Sequence, residues 1–185
     1  ALTWKCKAQL ISRNIASTIV IDNKLKFAES RKSGIRKALS LNIEVGESND
    51  VDGFWHVLED NLGNRYNAKP VHTASEMKLL MSRFPNNIKL YVAKMNGEIV
   101  GGTLIYVTPQ VVHTQYISAS VEGKKHGALD LLFDYIINKV YANCRYFDFG
   151  KSTEQGGAYL NEPLIFQKEG FGGRGVCYDW YQWEL

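Results

Sequence analysis

The sequence predicts an α/β fold whose mixed central sheet combines an antiparallel meander with a βαβ crossover. Three observations carry this reading. Residues 88–95 and 98–108 alternate as strands around Asn96-Gly97, a pair in which both positions tolerate the positive φ of a tight hairpin turn. Leu129, Leu132, Phe133, Ile136, Ile137 and Val140 recur at i, i+3, i+4, i+7, i+8 and i+11, the stripe of an amphipathic helix. Two strands bracket that helix, residues 111–120 before it and 145–149 after it, and such units cross right-handedly in one sheet.

The remaining elements follow in chain order. Residues 17–22 read as a short strand. Residues 31–41 read as a basic helix that Gly34 weakens, and residues 43–45 as a brief strand. Residues 50–62 form a helix with Phe54, Val57, Leu58 and Leu62 on one face and Gly63 beyond its end. A second helix spans residues 75–84, capped by Thr73 or Ser75 and ended by Pro85. Gly101-Gly102 inside the returning strand predicts a bulge or a close backbone approach. Residues 158–168 read as a helix with Pro163 early in it or kinking it, and residues 176–185 as an aromatic closing strand.

Composition bounds the function. With 185 residues, the chain reads as a single domain of residues 1–185, with 1–23 as an N-terminal extension or the remnant of an upstream segment. A chain of this size buries roughly 70% of its unfolded surface and needs neither disulfide nor metal to hold a core. No apolar run reaches the ~20 residues of a membrane span. The start, Ala1 to Lys5, lacks the apolar core of a signal peptide and lacks Met, so it reads as processed or as lying inside a longer protein. Cys6, Cys144 and Cys177 have no metal spacing, and Cys144 and Cys177 read as buried free thiols of a reducing, cytoplasmic compartment. The four histidines form no short-range ligand pair, so no metal site is expected. The net charge of +3 does not point to DNA. Residues 24–37 carry six Lys or Arg against one Glu, and residues 44–62 carry six acids and no Lys or Arg. Both read as solvated surface, the basic one alternatively as a contact for an anionic substrate.

The last third narrows the fold. Phe147-Asp148-Phe149-Gly150-Lys151-Ser152, then Gln167-Lys168-Glu169-Gly170-Phe171-Gly172-Gly173, resembles the "DFG" strand end and "FKxxFG" segment of the Fem-like branch of the Gcn5-related N-acetyltransferase (GNAT) superfamily. Residues 30–38, Ser-Arg-Lys-Ser-Gly-Ile-Arg-Lys-Ala, resemble that branch's basic helix. The likeness covers residues 24–185 and implies an acyl-CoA N-acyltransferase-like fold. It further implies a bacterial-type transferase that moves an acetyl or other acyl group from coenzyme A to an amine or hydroxyl on a small molecule or cell-envelope precursor. Two other readings stay open: a Fem-like aminoacyl transferase that takes its group from aminoacyl-tRNA, and a non-catalytic binding domain of the same fold.

A pyrophosphate needs backbone N–H donors without obstructing side chains, and a glycine-rich turn opening a helix supplies them. Residues 122–128, Glu-Gly-Lys-Lys-His-Gly-Ala, sit at that place. Gly123, Lys124, Lys125, His126 and Gly127 are therefore candidate carrier contacts, and Gly127→Val is expected to block the carrier while sparing the fold. The resemblance adds Ile117 and Ser118, on a strand that would splay from residues 145–149 and pair with the carrier's arm. Ligands of open α/β sheets gather at carboxyl ends of parallel strands, here Asp148, Lys151, Ser152 and Glu154. Asp148 is a candidate general base, and Lys151, Ser152 and Glu154 are candidate acceptor contacts. Tyr159 is a candidate acid for the leaving thiolate. Lys168, at the position of the family's lysine, is a candidate stabiliser of developing negative charge.

Overall fold

The computed structural model describes residues 2–66 and 68–184; Ala1 and Leu185, counted in the sequence reading, lie outside them. The predicted architecture is present: a seven-stranded mixed sheet flanked by helices on both faces, ordered β2-β3-β4-β5-β6-β1-β9. Helix α1 (Leu2–Lys5) leads into strand β1 (Gln9–Val20), and α2 (Glu29–Ser40) is followed by β2 (Glu44–Ser48). Helices α3 (Val51–Tyr66) and α4 (Ala74–Arg83) precede the meander β3 (Ile88–Met95), β4 (Glu98–Val107) and β5 (Val111–Ala119). Helices α5 (Val121–Lys125) and α6 (Ala128–Tyr135) lead to β6 (Tyr146–Lys151). The two-residue strands β7 (Thr153–Glu154) and β8 (Tyr159–Leu160), helix α7 (Glu162–Glu169) and β9 (Arg174–Gln182) complete the chain.

The meander behaves as its turn chemistry predicts. Asn96 and Gly97 take φ of +53° and +84° between β3 and β4. The glycine pair in β4 does both things expected of it. The β3–β4 register slips between Ala93 and Lys94, opposite Gly101 and Ile99. At Gly102 a Cβ would stand 2.6 Å from the Phe54 ring, so its absence lets α3 lie close on the sheet.

Strands β5 and β6 form the parallel pair that α6 connects, with every other contact in the sheet antiparallel. One core lies between the sheet and α6, where Leu132, Phe133, Ile136 and Ile137 of the predicted stripe pack on Phe147, Phe149 and Phe171. A second core lies on the other face, where Phe54, Trp55 and Leu58 of α3 and Met77 of α4 meet Leu90, Val92 and Leu104.

Four local expectations need correction. The first strand begins at Gln9, eight residues before the predicted start, and pairs with β6 on one side and β9 on the other. Its first half lies on a two-stranded ribbon with both faces exposed, so it has no inward–outward alternation to read. The single long helix expected after β5 is broken: α5 ends before Gly127, α6 follows, and residues 136–140 widen into a π turn. The helix expected from residue 158 starts at Glu162, because Asn161 caps it by accepting the Leu164 N–H and Pro163 fits its first turn. Cys177 is exposed on β9 and Cys144 only half-buried, so neither is the core thiol expected.

Candidate functional site

The parallel pair is short. Val111, Val112 and His113 register with Tyr146, Phe147 and Asp148, and beyond His113 and Asp148 the two strands diverge. Residues 114–119 of β5 therefore make no ladder with β6, which leaves a β5 edge of unpaired backbone groups facing an opening in the sheet. A cavity of about 310 Å³ occupies that opening. Ile117, Ser118 and Ala119 form its β5 wall, Leu129 and Phe133 its α6 wall, and Phe149 its β6 wall. Asn61 and Leu62 reach it from α3 on one face of the sheet, and Asn161, Leu164, Gln167 and Lys168 from α7 on the other.

Lys168 is the one charged residue of α7 on this cavity, and it is only 5% exposed. Its Nζ donates to Gly150 O at 3.0 Å and to Lys151 O at 2.8 Å, across the end of β6. Burial penalises the ammonium more than nearby Asp148 supports it, which brings its pKa down to about 8. Lys168 is thus a cation near its neutral point, held by two carbonyls beside an apolar cavity. Its helix depends on the Asn161 cap. Asn161→Ala is expected to cost about 1 kcal/mol, or roughly 2–4 °C of melting temperature, measurable by thermal unfolding.

Asp148 does not reach the cavity. It faces the opposite side of the sheet, where Thr18 Oγ1 donates to Oδ1 at 2.9 Å and His113 Nδ1 stands 2.6 Å from Oδ2. Burial raises its pKa, but the bonds from His113, Thr18 and the Gly150 N–H outweigh that and leave it below the ordinary carboxyl range. His113 and Thr18 are functional candidates that sequence reasoning missed. They lie 35 and 130 positions from Asp148, and no local spacing joins them.

The glycine loop is built otherwise than an open turn. Gly123 lies buried within α5, where a Cβ would overlap Val100 O. Gly127 takes φ +72° between α5 and α6, and a Cβ there would overlap the Gly34 carbonyl. Gly34, read from sequence as a weak point of α2, is where α2 crosses α6, beside Asp130, which Arg31 holds at 2.8 Å. Both loop glycines therefore serve backbone packing. Lys124 remains on the cavity and hydrogen-bonds Asn61. Lys125 gives its carbonyl to Lys37, and His126 Nε2 lies 2.9 Å from Glu122.

The other predicted residues divide. Ile117 and Ser118 line the cavity, and Ser118 also bonds Val57 O. Ser152 is buried, with its hydroxyl unpartnered among the described residues. Lys151 is exposed, Glu154 accepts from Asn161, and Tyr159 is 51% exposed on β8; none of the three lines the cavity. In the basic stretch Arg31 pairs with Asp130, while Lys32 and Arg36 pair with Glu29. Among the described residues no group of three or more His, Cys, Asp or Glu could hold a metal ion. No helix among them is long and apolar enough to cross a membrane.

A sheet that opens between two parallel strands, with a helix crossing between them, has a counterpart among known families. A family model described as "Acetyltransferase (GNAT) domain" matches residues 26–159. The chain belongs to the GNAT acetyltransferase domain family. The matched segment includes β5, β6 and the α5–α6 loop of the GNAT domain and stops before α7, so Lys168 stands outside it. No curated protein matches the chain significantly. Solved structures agree in fold. The C-terminal domain of a putative lysylphosphatidylglycerol synthetase from Agrobacterium fabrum superposes with TM-score 0.65 at 12% identity, covering 94% of this chain and 60% of that one. FemX superposes with TM-score 0.65 at 13% identity, covering 91% and 61%. A possible acetyltransferase from Clostridium difficile 630 superposes with TM-score 0.53 at 14% identity, covering 77% and 97%. This GNAT domain thus has a Fem-like fold and spans about 60% of the length of the first two structures.

Proposed function

We propose that the chain is an acyltransferase that moves an acetyl or other acyl group from coenzyme A to an amine or hydroxyl acceptor, working as one domain with β1 integral to its sheet. The observation that carries this reading is the cavity at the β5–β6 divergence with Lys168 on its wall. The unpaired edge of β5 at Ile117 and Ser118 offers backbone groups to the amides of an extended carrier arm, as a further strand would. Lys124, with Lys125 behind it, brings positive charge to the mouth where the carrier's phosphates would lie. Gly123 and Gly127 shape that mouth by packing. The Lys168 ammonium, buried and fixed by two carbonyls, would stabilise the oxyanion that develops as the thioester is attacked. The acceptor class, a small molecule or a cell-envelope precursor, belongs to the same proposal, as does a cytoplasmic site of action.

Calorimetric titration with acetyl-CoA tests the donor. Binding with a dissociation constant below millimolar is expected, and absence of heat at millimolar acetyl-CoA would remove this reading. The Fem-like fold keeps aminoacyl-tRNA as the alternative donor, which titration with a charged tRNA addresses.

A further inference from the structure

The apex of the β5–β6 opening carries a polar assembly that the proposed chemistry has not used. His113 is the last β5 residue registered with β6, and its ring projects to the α3/α4 side of the sheet. Nδ1 is committed to Asp148 at 2.6 Å, and among the described residues Nε2 has no partner. The side chain is 36% exposed, so that nitrogen is open to approach. The ring rests against Gly150, where a Cβ would come 3.2 Å from Cε1 and where φ is +70°. The carbonyl of the same Gly150 accepts from Lys168. The imidazole and the ammonium therefore address one peptide of β6 from opposite faces of the sheet. From Ala119 down to Thr114 the free edge of β5 runs six residues, about 17 Å end to end, the scale of an extended carrier arm; the cavity lines it at Ile117, Ser118 and Ala119, and an arm continued along the edge would end beside His113.

We propose that His113 is the general base of the transfer and that Asp148 and Thr18 are positioning residues that hold it. This rests on the acyl-transfer reading above. Ionised Asp148 accepts a hydrogen bond from Nδ1–H, which fixes the tautomer and leaves the Nε2 lone pair as the acceptor. Thr18 occupies the other Asp148 oxygen, so the carboxylate is a poor base itself and a good anchor. As the acceptor nitrogen or oxygen bonds to the acyl carbon, its proton passes to Nε2. The C–S bond breaks with its electron pair on sulfur, the thiolate takes a proton from water, and the imidazolium returns its proton to solvent. The acceptor consequently enters from the α3/α4 side, opposite the α6/α7 side. The groups facing His113 are Asp148 from β6, Tyr106 from β4 at 6.5 Å between rings, and Lys168 across Gly150; Tyr178 of β9 faces Asp148.

The test compares the wild type with His113→Gln, which keeps a donor for Asp148, and with Asp148→Asn. Acetyl-CoA affinity is measured by calorimetry, and thiol release from acetyl-CoA is followed with water and with hydroxylamine as the nucleophile. Both variants are expected to bind acetyl-CoA within about twofold of wild type and to lose at least a hundredfold of thiol release to water. Added imidazole should restore part of the loss in His113→Ala. Thiol release unchanged in His113→Gln, or absent from wild type that binds acetyl-CoA, overturns the base. Failure of wild type to bind acetyl-CoA is a separate result and overturns the acyl-transfer reading itself.

Discussion

Lys168→Met should lower turnover about a hundredfold or more while acetyl-CoA affinity changes little. An acyl-transfer transition state concentrates negative charge on the carbonyl oxygen, and one well-placed donor to that charge is worth roughly 3–4 kcal/mol. The structure adds a cost in stability. The ammonium is buried and satisfies Gly150 O and Lys151 O, so its removal strands two carbonyls at the end of β6. A loss of about 1–3 kcal/mol of stability should accompany the loss of turnover, the cost of leaving buried polar groups unmade. Turnover retained in a folded Lys168→Met would reduce the residue to this structural role.

The pH dependence separates the two roles. Lys168 has a folded pKa of about 8, below its unfolded value of about 10.4. Between those values the unfolded chain binds the extra proton, so this group makes stability rise with pH from about 8 to about 10.4. Its burial penalty is at its fullest below pH 8. Turnover moves the other way, because only the protonated amine stabilises the oxyanion, and should fall as pH rises through about 8. Chemical denaturation and initial rates measured over pH 6–10 check both signs, and Lys168→Met should flatten both changes.

Gly127→Val should cost several kcal/mol and impair folding, instead of sparing the fold as the sequence led us to expect. Two penalties combine. The residue sits at φ +72°, where a side chain costs about 1–3 kcal/mol and a β-branched one is especially disfavoured. Its Cβ would also overlap the Gly34 carbonyl, a backbone atom of α2 that cannot swing aside, and overpacking of this kind typically costs a further 1–3 kcal/mol. Separation of α2 from α6 would weaken the Arg31–Asp130 pair at the same contact. Urea titration should show a lowered midpoint. A variant as stable as wild type, defective only in acetyl-CoA binding, would return Gly127 to the open carrier loop that the sequence implies.

Gly127 shows where sequence reasoning stops. A glycine before an amphipathic helix has the same local signature whether it admits a phosphate or a neighbouring helix. Only the position of Gly34 on α2, 93 residues away in the chain, distinguishes them. Asp148 is a similar case. Its place at the end of a parallel strand marks it as a site candidate, but strand alternation around a bulge sends its carboxylate to the face opposite Lys168, towards His113 and Thr18. Tyr159 was expected in a helix and stands on a short exposed strand, because the Asn161 cap and Pro163 set the helix start beyond it.

What the sequence alone determined is what neighbouring residues decide among themselves. Asn96-Gly97 makes the hairpin because two adjacent residues accept positive φ. The stripe from Leu129 to Ile137 makes a core-facing helix because its spacing matches the helical turn. The order of strands and helices, with one crossover, then left few topologies beyond a mixed sheet, and the Fem-like likeness singled out Lys168, which the structure puts on the cavity wall. The tertiary structure alone decided the interior position of β1, the divergence of β5 from β6 beyond His113, the burial of Lys168 and the meeting of Thr18, His113 and Asp148. Each of these depends on contacts between residues far apart in the chain, and local periodicity carries no term for such contacts.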